Sequence, residues 1–246
     1  MGEHFTWPSL LVGHDWDPTF TASVVMVMLL AWAAVGLKQL RAASDPVIPD
    51  ATLTARNMAE IFVEWFIGFT ASILGPKGRS YIAIYGSFFL FILVANLCGL
   101  IPGISPPTST FTITFALGLT SFLAYNYYGF QQKGVGYLKH FLGPIWWLAF
   151  LMLPLELVDN FVRPASLALR LFGNMYGDHL VLGIFTDLTK LVIPVVFLGL
   201  GSFVSLIQAF VFTILGLVYL SLAIEDHGHG DEHHEGEHAH AHAAHH

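Results

Sequence analysis

Charge is scarce in this chain. Only 11% of its 246 residues are Asp, Glu, Lys or Arg, against 55% that are hydrophobic, whereas a soluble globular domain carries roughly a quarter charged residues. The shortage is uneven. No Asp, Glu, Lys or Arg occurs between Arg79 and Lys133, and none between Lys190 and Glu225, so each gap holds at least one run of about 20 apolar residues, the length that crosses a bilayer. This excludes a soluble domain and indicates an integral membrane protein. The formal net charge of -7 is concentrated at one end, because six of the seventeen acids (Glu225, Asp226, Asp231, Glu232, Glu235, Glu237) lie in the final 22 residues, which contain no Lys or Arg. The apolar part is close to neutral and has no basic face for nucleic acid.

Cysteine is nearly absent. Cys98 alone excludes an intrachain disulfide and a cysteine metal site, and it reads as a small buried apolar side chain. The first 37 residues contain no Lys or Arg, so they lack the positive n-region of a cleavable signal peptide. The start "MGEHFT" fits a loose myristoylation pattern, which adds little to a chain already anchored by a spanning helix. The apolar segments also lack a Ser/His pair, a paired-Asp arrangement or an HExxH motif, which argues against a membrane-embedded hydrolase.

What is present organises into an all-α membrane protein. An outward-facing lead, residues 1–19, carries Trp7 and Trp16 as interfacial anchors. Spans are predicted at about 20–37, 81–101, 111–128, 144–185 and 192–224, a single transmembrane domain of five crossings. Residues 57–74 carry Glu60 and Glu64 one turn apart on an apolar segment and read as an interfacial helix. Lys38, Arg41 and Arg56, then Lys77 and Arg79, then Lys133 and Lys139 mark the cytoplasmic side, so the amino terminus and the "PGISPP" turn (102–107) face outward. Residues 225–246 form a disordered cytoplasmic tail rich in His and acids. The 144–185 segment spans about 60 Å at 1.5 Å per residue, too long for one upright crossing, and must tilt, bend or break. The last helix is expected to pack antiparallel against it.

That penultimate helix holds the unusual residues. A central Arg in a membrane costs from about 3 to more than 10 kcal/mol, so an intramembrane ion calls for a partner or a function. Turning 100° per residue from Arg170 places Glu156 at about +40°, Asp159 at about -20°, Arg163 at about +20°, Ser166 at about -40° and Asn174 at about +40°. These polar groups share a stripe roughly 80° wide and about 27 Å long, which faces protein or water rather than lipid. His179 falls about 180° from Arg170 and about 13 Å further along the axis, with Asp178 between them at about +80°. One helix thus offers two polar surfaces at different depths, as two separate aqueous paths to a central charge would require. Gln208 on the last helix needs a partner in hydrocarbon and can reach the depth of Arg170 or Asn174 if the two helices run antiparallel. Arg163 and Pro164 read as shaping the helix, and "GNMYG" (173–177) as a small-residue site for close helix approach.

"RPASLALRLFGNMYGDHL", with "SLIQAFVFTILGLVYLSLA" (205–223), "ELVDNFVRP" (156–164) and "NLCGLIP" (96–102), closely resembles subunit a of F-type ATP synthases in the bacterial form. The resemblance runs from Phe20 to Ala223. It implies a non-catalytic membrane stator, with no active site for ATP chemistry and no cofactor, placed in the bacterial inner membrane. Its partners would be a ring of c subunits, each with one membrane-embedded carboxylate, the b-subunit peripheral stalk and the rest of the synthase. Arg170 matches the family's essential arginine, and Asn174 and Gln208 match polar positions beside it. Glu156 matches an acid of the cytoplasmic-side half-channel. His179 stands where many bacterial members have Glu, and Gly201 stands where those members have His, so one protonatable group is kept while the small Gly201 makes room. His179 is then the titrating relay, with an unperturbed pKa of about 6.5. Asp178 and Asp159 are further candidates for the proton path.

A rival reading starts from the tail "HGHGDEHHEGEHAHAHAAHH", in which His227, His229, His233, His234, His238, His240 and His242 are candidate metal ligands. Such a tract suits a metal-ion transporter. The spans, however, lack the His and carboxylate pairs that a metal path needs.

Overall fold

The computed structural model describes residues 17–42, 54–101, 104–134, 149–188 and 192–224. Among these, six α-helices account for nearly everything and no strand occurs. They are α1 (Asp17–Ala42), α2 (Ala55–Leu74), α3 (Ile82–Cys98), α4 (Phe111–Lys133), α5 (Ala149–Leu188) and α6 (Val192–Ile224), with 3-10 turns at Gly75–Tyr81 and Pro107–Ser109. On length and composition alone, α1, α2, the 78–98 segment and the 195–224 segment are apolar enough to cross a membrane. The 1–19 lead, apart from its last residues, and the 225–246 tail lie outside the described residues, as does 144–148 of the expected long span.

The first two helices begin for local reasons. Asp17 opens α1 and Arg41 closes it, signs that complement the helix dipole. The Thr54 hydroxyl caps α2 by accepting the Asn57 N–H at 3.4 Å, while the Arg56 N–H donates to Gln39 Oε1 of α1 at 3.0 Å. The Arg56 side chain, only 2% exposed, pairs with Glu60 one turn on at 2.6 Å. One of the two acids expected on the interfacial helix is therefore neutralised locally, and Arg56, which the sequence places before the 57–74 helix, is buried at the start of α2.

Aromatic packing joins α2 to the bundle. Phe62, Trp65, Phe66, Phe89 and Phe210 form a continuous set of ring contacts, with Phe89 and Phe210 edge-to-face at 5.1 Å. Such edge-on geometry adds about 0.5–1.5 kcal/mol per pair beyond area burial. Helix α3 is the most enclosed, burying Tyr85, Phe88, Phe89, Phe91, Ile92, Ala95 and Asn96. At its C-terminal end Asn96 Oδ1 accepts the Thr108 hydroxyl at 2.6 Å, which closes the turn to α4.

Helix α5 runs unbroken for 40 residues with Pro154 and Pro164 inside it, so the long segment remains continuous. Its buried positions are Asn160, Pro164, Leu167, Ala168, Leu171 and Met175, a helical face. Against this face α4 presents Thr114, Gly118, Ser121, Tyr125 and Gly129. The approach is closest at Gly118, where a Cβ would lie 2.7 Å from the Pro164 carbonyl oxygen and 3.2 Å from Ala168 Cβ. Lower on the same seam the Tyr125 hydroxyl donates to Asn160 Oδ1 at 2.7 Å, and Asn160 Nδ2 donates to Asn126 Oδ1 at 3.4 Å. Helix α6 returns antiparallel to α5: Arg163 lies over the Tyr219 ring, Asn174 meets Gln208, and Phe185 stacks on Phe197.

Candidate functional site

The site grows from the two faces of α5. One face is consumed by α4 and α6, as described above. The other carries Asp159, Arg170, Gly173 and Asn174, all exposed, with Arg163 and Ser166 half-buried beside them. The polar stripe read from the sequence therefore borders α6 at Arg163 and Asn174, while at Asp159 and Arg170 it is left open by the other described residues. Arg170 is exposed there and makes no hydrogen bond or ion pair with any described residue. A guanidinium is permanently charged and offers five donors in a planar fork. It is thus available to an acidic partner outside this chain.

Asn174, one turn beyond Arg170, donates from Nδ2 to Gln208 Oε1 at 2.6 Å. Gln208 is 2% exposed. The antiparallel return of α6 is what brings Gln208 to this depth, and the amide pair satisfies a group that would otherwise be stranded in an apolar setting. Arg170 thereby sits beside a rigid polar strut.

Below Arg170 along α5, Asp159 Oδ2 accepts from Arg163 Nε at 3.1 Å and from Nη2 at 2.5 Å. The Arg163 guanidinium also lies 5.5 Å above the centre of the Tyr219 ring, a cation–π contact that ties α5 to α6. Asp159 is therefore engaged in a local ion pair. Glu156 lies on the same helix, and its side chain is outside the described residues.

Above Arg170, about 12–13 Å along the axis, Asp178 and His179 are half-buried and line one small pocket. Its other walls are Met175 and Leu182 of α5, Gly99, Leu100 and Pro106 of the turn between α3 and α4, and Phe197 of α6. The structure thus brings Asp178 and His179 together and leaves Arg170 on a different surface. It also shows what occupies the space at Gly201. A Cβ there would lie 3.0 Å from Asp178 Oδ2 and 2.8 Å from Leu100 Cδ2, so the room Gly201 leaves is filled by the Asp178 carboxylate together with the Leu100 side chain.

One reading needs correction. Gly173 and Gly177 of "GNMYG" meet nothing within 4 Å at the Cβ position, so neither serves close packing against another described helix of this chain. The close approach is made by Gly118, which belongs to no motif. The Tyr125, Asn126 and Asn160 cluster was also missed. Asn160 sits about 100° round from Asp159, and its spacing from Pro164, Leu167 and Leu171 was the signal that it faces inward. Among the described residues no three His, Cys, Asp or Glu side chains group as a metal site would need. The histidines of the tail lie outside the described residues.

Comparison with known proteins agrees with this architecture. Residues 19–221 match the family described as ATP synthase A chain. ATP synthase subunit a of Bdellovibrio bacteriovorus is 40% identical over 227 residues, covering 91% of this chain and 99% of that protein. ATP synthase subunit a of Sulfurimonas denitrificans is 37% identical over 92% of this chain and 100% of that protein, and that of Sorangium cellulosum is 36% identical over 87% and 84%. The chain belongs to the ATP synthase A chain family, subunit a of the F-type ATP synthases.

Proposed function

We propose that this chain holds Arg170 as a fixed counter-charge against the carboxylates of a rotating c-subunit ring, and supplies two offset aqueous half-channels that lead protons to and from that point. Membership of the family makes it the proton-channel stator subunit of an ATP synthase complex and a multi-pass membrane protein. That membership displaces the metal-transporter alternative. The observation that carries the finer reading is the exposed Arg170, without a partner among the described residues, at a position on α5 that the other described residues leave uncovered.

The chemistry follows from charge. An opposite charge within about 4–6 Å favours the ionised form of a carboxyl group, so a ring carboxylate arriving opposite Arg170 releases its proton toward one half-channel. It takes up a new proton from the other before it re-enters lipid, where an ion is expensive. Arg170 keeps its own proton throughout and so blocks direct leakage between the two paths. Asn174 and Gln208 hold the helix depth beside it. His179, with Asp178, serves the outer path, and Glu156, with Asp159 at the helix surface, serves the cytoplasmic one. Gly173 and Gly177, bare on the same side, allow a ring helix to approach closely.

In this reading the chain crosses the inner membrane five times, with 57–74 lying in the interface, the amino terminus outside and the tail cytoplasmic. The b-subunit stalk holds it against torque. Affinity isolation of the intact chain from gently solubilised membranes is expected to recover a ring of small two-helix proteolipids. Recovery of the chain with soluble synthase subunits but no such ring would contradict the proposal.

A further inference from the structure

We infer that Asp178, set against the bare backbone of Gly201, is a second proton-carrying side chain of the pocket between α5, α6 and the 99–106 turn, and that Gly201 is the positioning residue that admits it. The inference rests on the half-channel reading above and adds to it a residue pair that acts as a unit.

Three observations lead there. On the helical wheel Asp178 falls at about +80° from Arg170, inside the sector of roughly +60° to +160° that α5 buries through Asn160, Pro164, Leu167, Ala168, Leu171 and Met175, whereas His179 falls at its edge. Asp178 therefore points toward α6 and the α3–α4 turn. The contact is direct, because Oδ2 lies 3.0 Å, and Leu100 Cδ2 2.8 Å, from where a Cβ at position 201 would stand, close enough that both would have to give way. No donor among the described residues hydrogen-bonds the Asp178 carboxylate, and its electrostatic neighbour is His179.

An acid in that position needs either a proton or water. The pocket is of the size that holds about one water molecule, with the Asp178 carboxylate and the His179 ring as its polar walls. The carboxylate takes up one proton from the outer side to become the neutral acid. It then gives that proton up toward the ring and returns to its ionised form, so nothing is consumed. A side chain at position 201 pushes the carboxylate and the Leu100 methyl aside, the more so the larger it is.

The test measures passive proton flow through the intact membrane sector after removal of the soluble head, with the content of this chain quantified in each membrane. Asp178→Asn, nearly isosteric, is expected to slow flow at least about tenfold, the low end of what losing a proton-transfer group costs. Gly201→Ala is expected to slow it comparably. The double variant should be no slower than Asp178→Asn alone, because the two changes remove the same function. Wild-type flow in Asp178→Asn, or additive losses in the double variant, would overturn the inference. If Gly201→Ala fails to assemble, Gly201→Ala combined with Asp178→Ala relieves the contact and is expected to assemble, and its absence from the membrane would count against the pair. Arg170→Ala, run alongside and read by ATP-driven pumping, separates the two proposals. If it abolishes pumping while Asp178→Asn leaves passive flow at the wild-type rate, this inference alone fails; if it leaves pumping normal, the counter-charge reading fails.

Discussion

Exchange of Arg170 for Ala is expected to abolish ATP-driven proton pumping in inverted membranes while leaving ATP hydrolysis by the soluble head measurable. The magnitude follows from Coulomb's law. Two unit charges about 4 Å apart at an effective dielectric of about 20 interact by about 4 kcal/mol, which is about three pKa units for the acid that faces the arginine. Without that charge the arriving ring carboxylate keeps its proton, and a ring that never ionises opposite the stator carries protons past it unproductively. A loss of at least about a hundredfold in pumping is therefore expected. Arg170→Lys should fail almost as fully, because an ammonium is a hydrated point charge and cannot reproduce the planar fork that pairs with a carboxylate. Quenching of a pH-sensitive dye on ATP addition reads the result directly. Quenching at the normal rate in either variant would remove Arg170 from its assigned role.

The second large effect lies in the scaffold that places the arginine. Gly118 lets α4 press against the backbone of α5 at Pro164, six residues before Arg170, or about 9 Å along the axis. The obstacle is a carbonyl within a helix, which cannot turn aside as a flexible side chain can. Gly118→Leu must push α5 away from α4, and overpacking of this kind costs about 1–3 kcal/mol, occasionally more. The displacement also strains the Tyr125–Asn160 hydrogen bond on the same seam and shifts Arg170 sideways. The variant is expected to reach the membrane in reduced amount and to pump several-fold less per assembled complex. Gly68→Ala is the matched control, because a Cβ at Gly68 meets nothing within 4 Å. Equal behaviour of the two variants would show that the α4–α5 contact does not position the site.

The sequence made the helices legible because apolar runs and charge gaps are local properties. The last helix was read as 192–224 and is found at Val192–Ile224. Helix α4 runs on to Lys133 rather than stopping near 128, and in this extension Gln132 donates to the Tyr81 hydroxyl at 2.5 Å and so belongs to the bundle. The outward stripe of α5 was legible from angle alone, since 100° per residue separates Arg170 from the buried face without any knowledge of neighbours. What resisted reading was pairing across distance. Tyr125 and Asn160 are 35 residues apart, and nothing local marks either as the other's partner.

Glycine shows the same limit. The motif-bearing pair Gly173 and Gly177 faces open space, while Gly118 and Gly201, which carry no pattern, make the tight contacts. A small residue is informative only once its opposing surface is known. At Gly201 that surface is Asp178 rather than the adjacent His179, a distinction of one residue that rotates the side chain by 100°. The pairing of Arg56 with Glu60 has the i, i+4 spacing of a helical ion pair, yet in the sequence Arg56 counts only as a cytoplasmic charge outside the 57–74 helix; the structure starts the helix earlier and anchors it to Gln39.

The central claim is that the uncovered face of α5 meets the ring, and disulfide trapping tests it most directly. Cys98 is the sole cysteine, so Cys98→Ser leaves a silent background for Gly173→Cys, one turn from Arg170 on the exposed side. A second cysteine goes on the ring helix beside its carboxylate. Mild oxidation in native membranes is predicted to join this chain to a ring subunit, which requires the two backbones to come within about 7 Å. Val27→Cys on the exposed face of α1 is predicted not to join. A bond from Val27→Cys with none from Gly173→Cys would place the ring elsewhere and contradict the account.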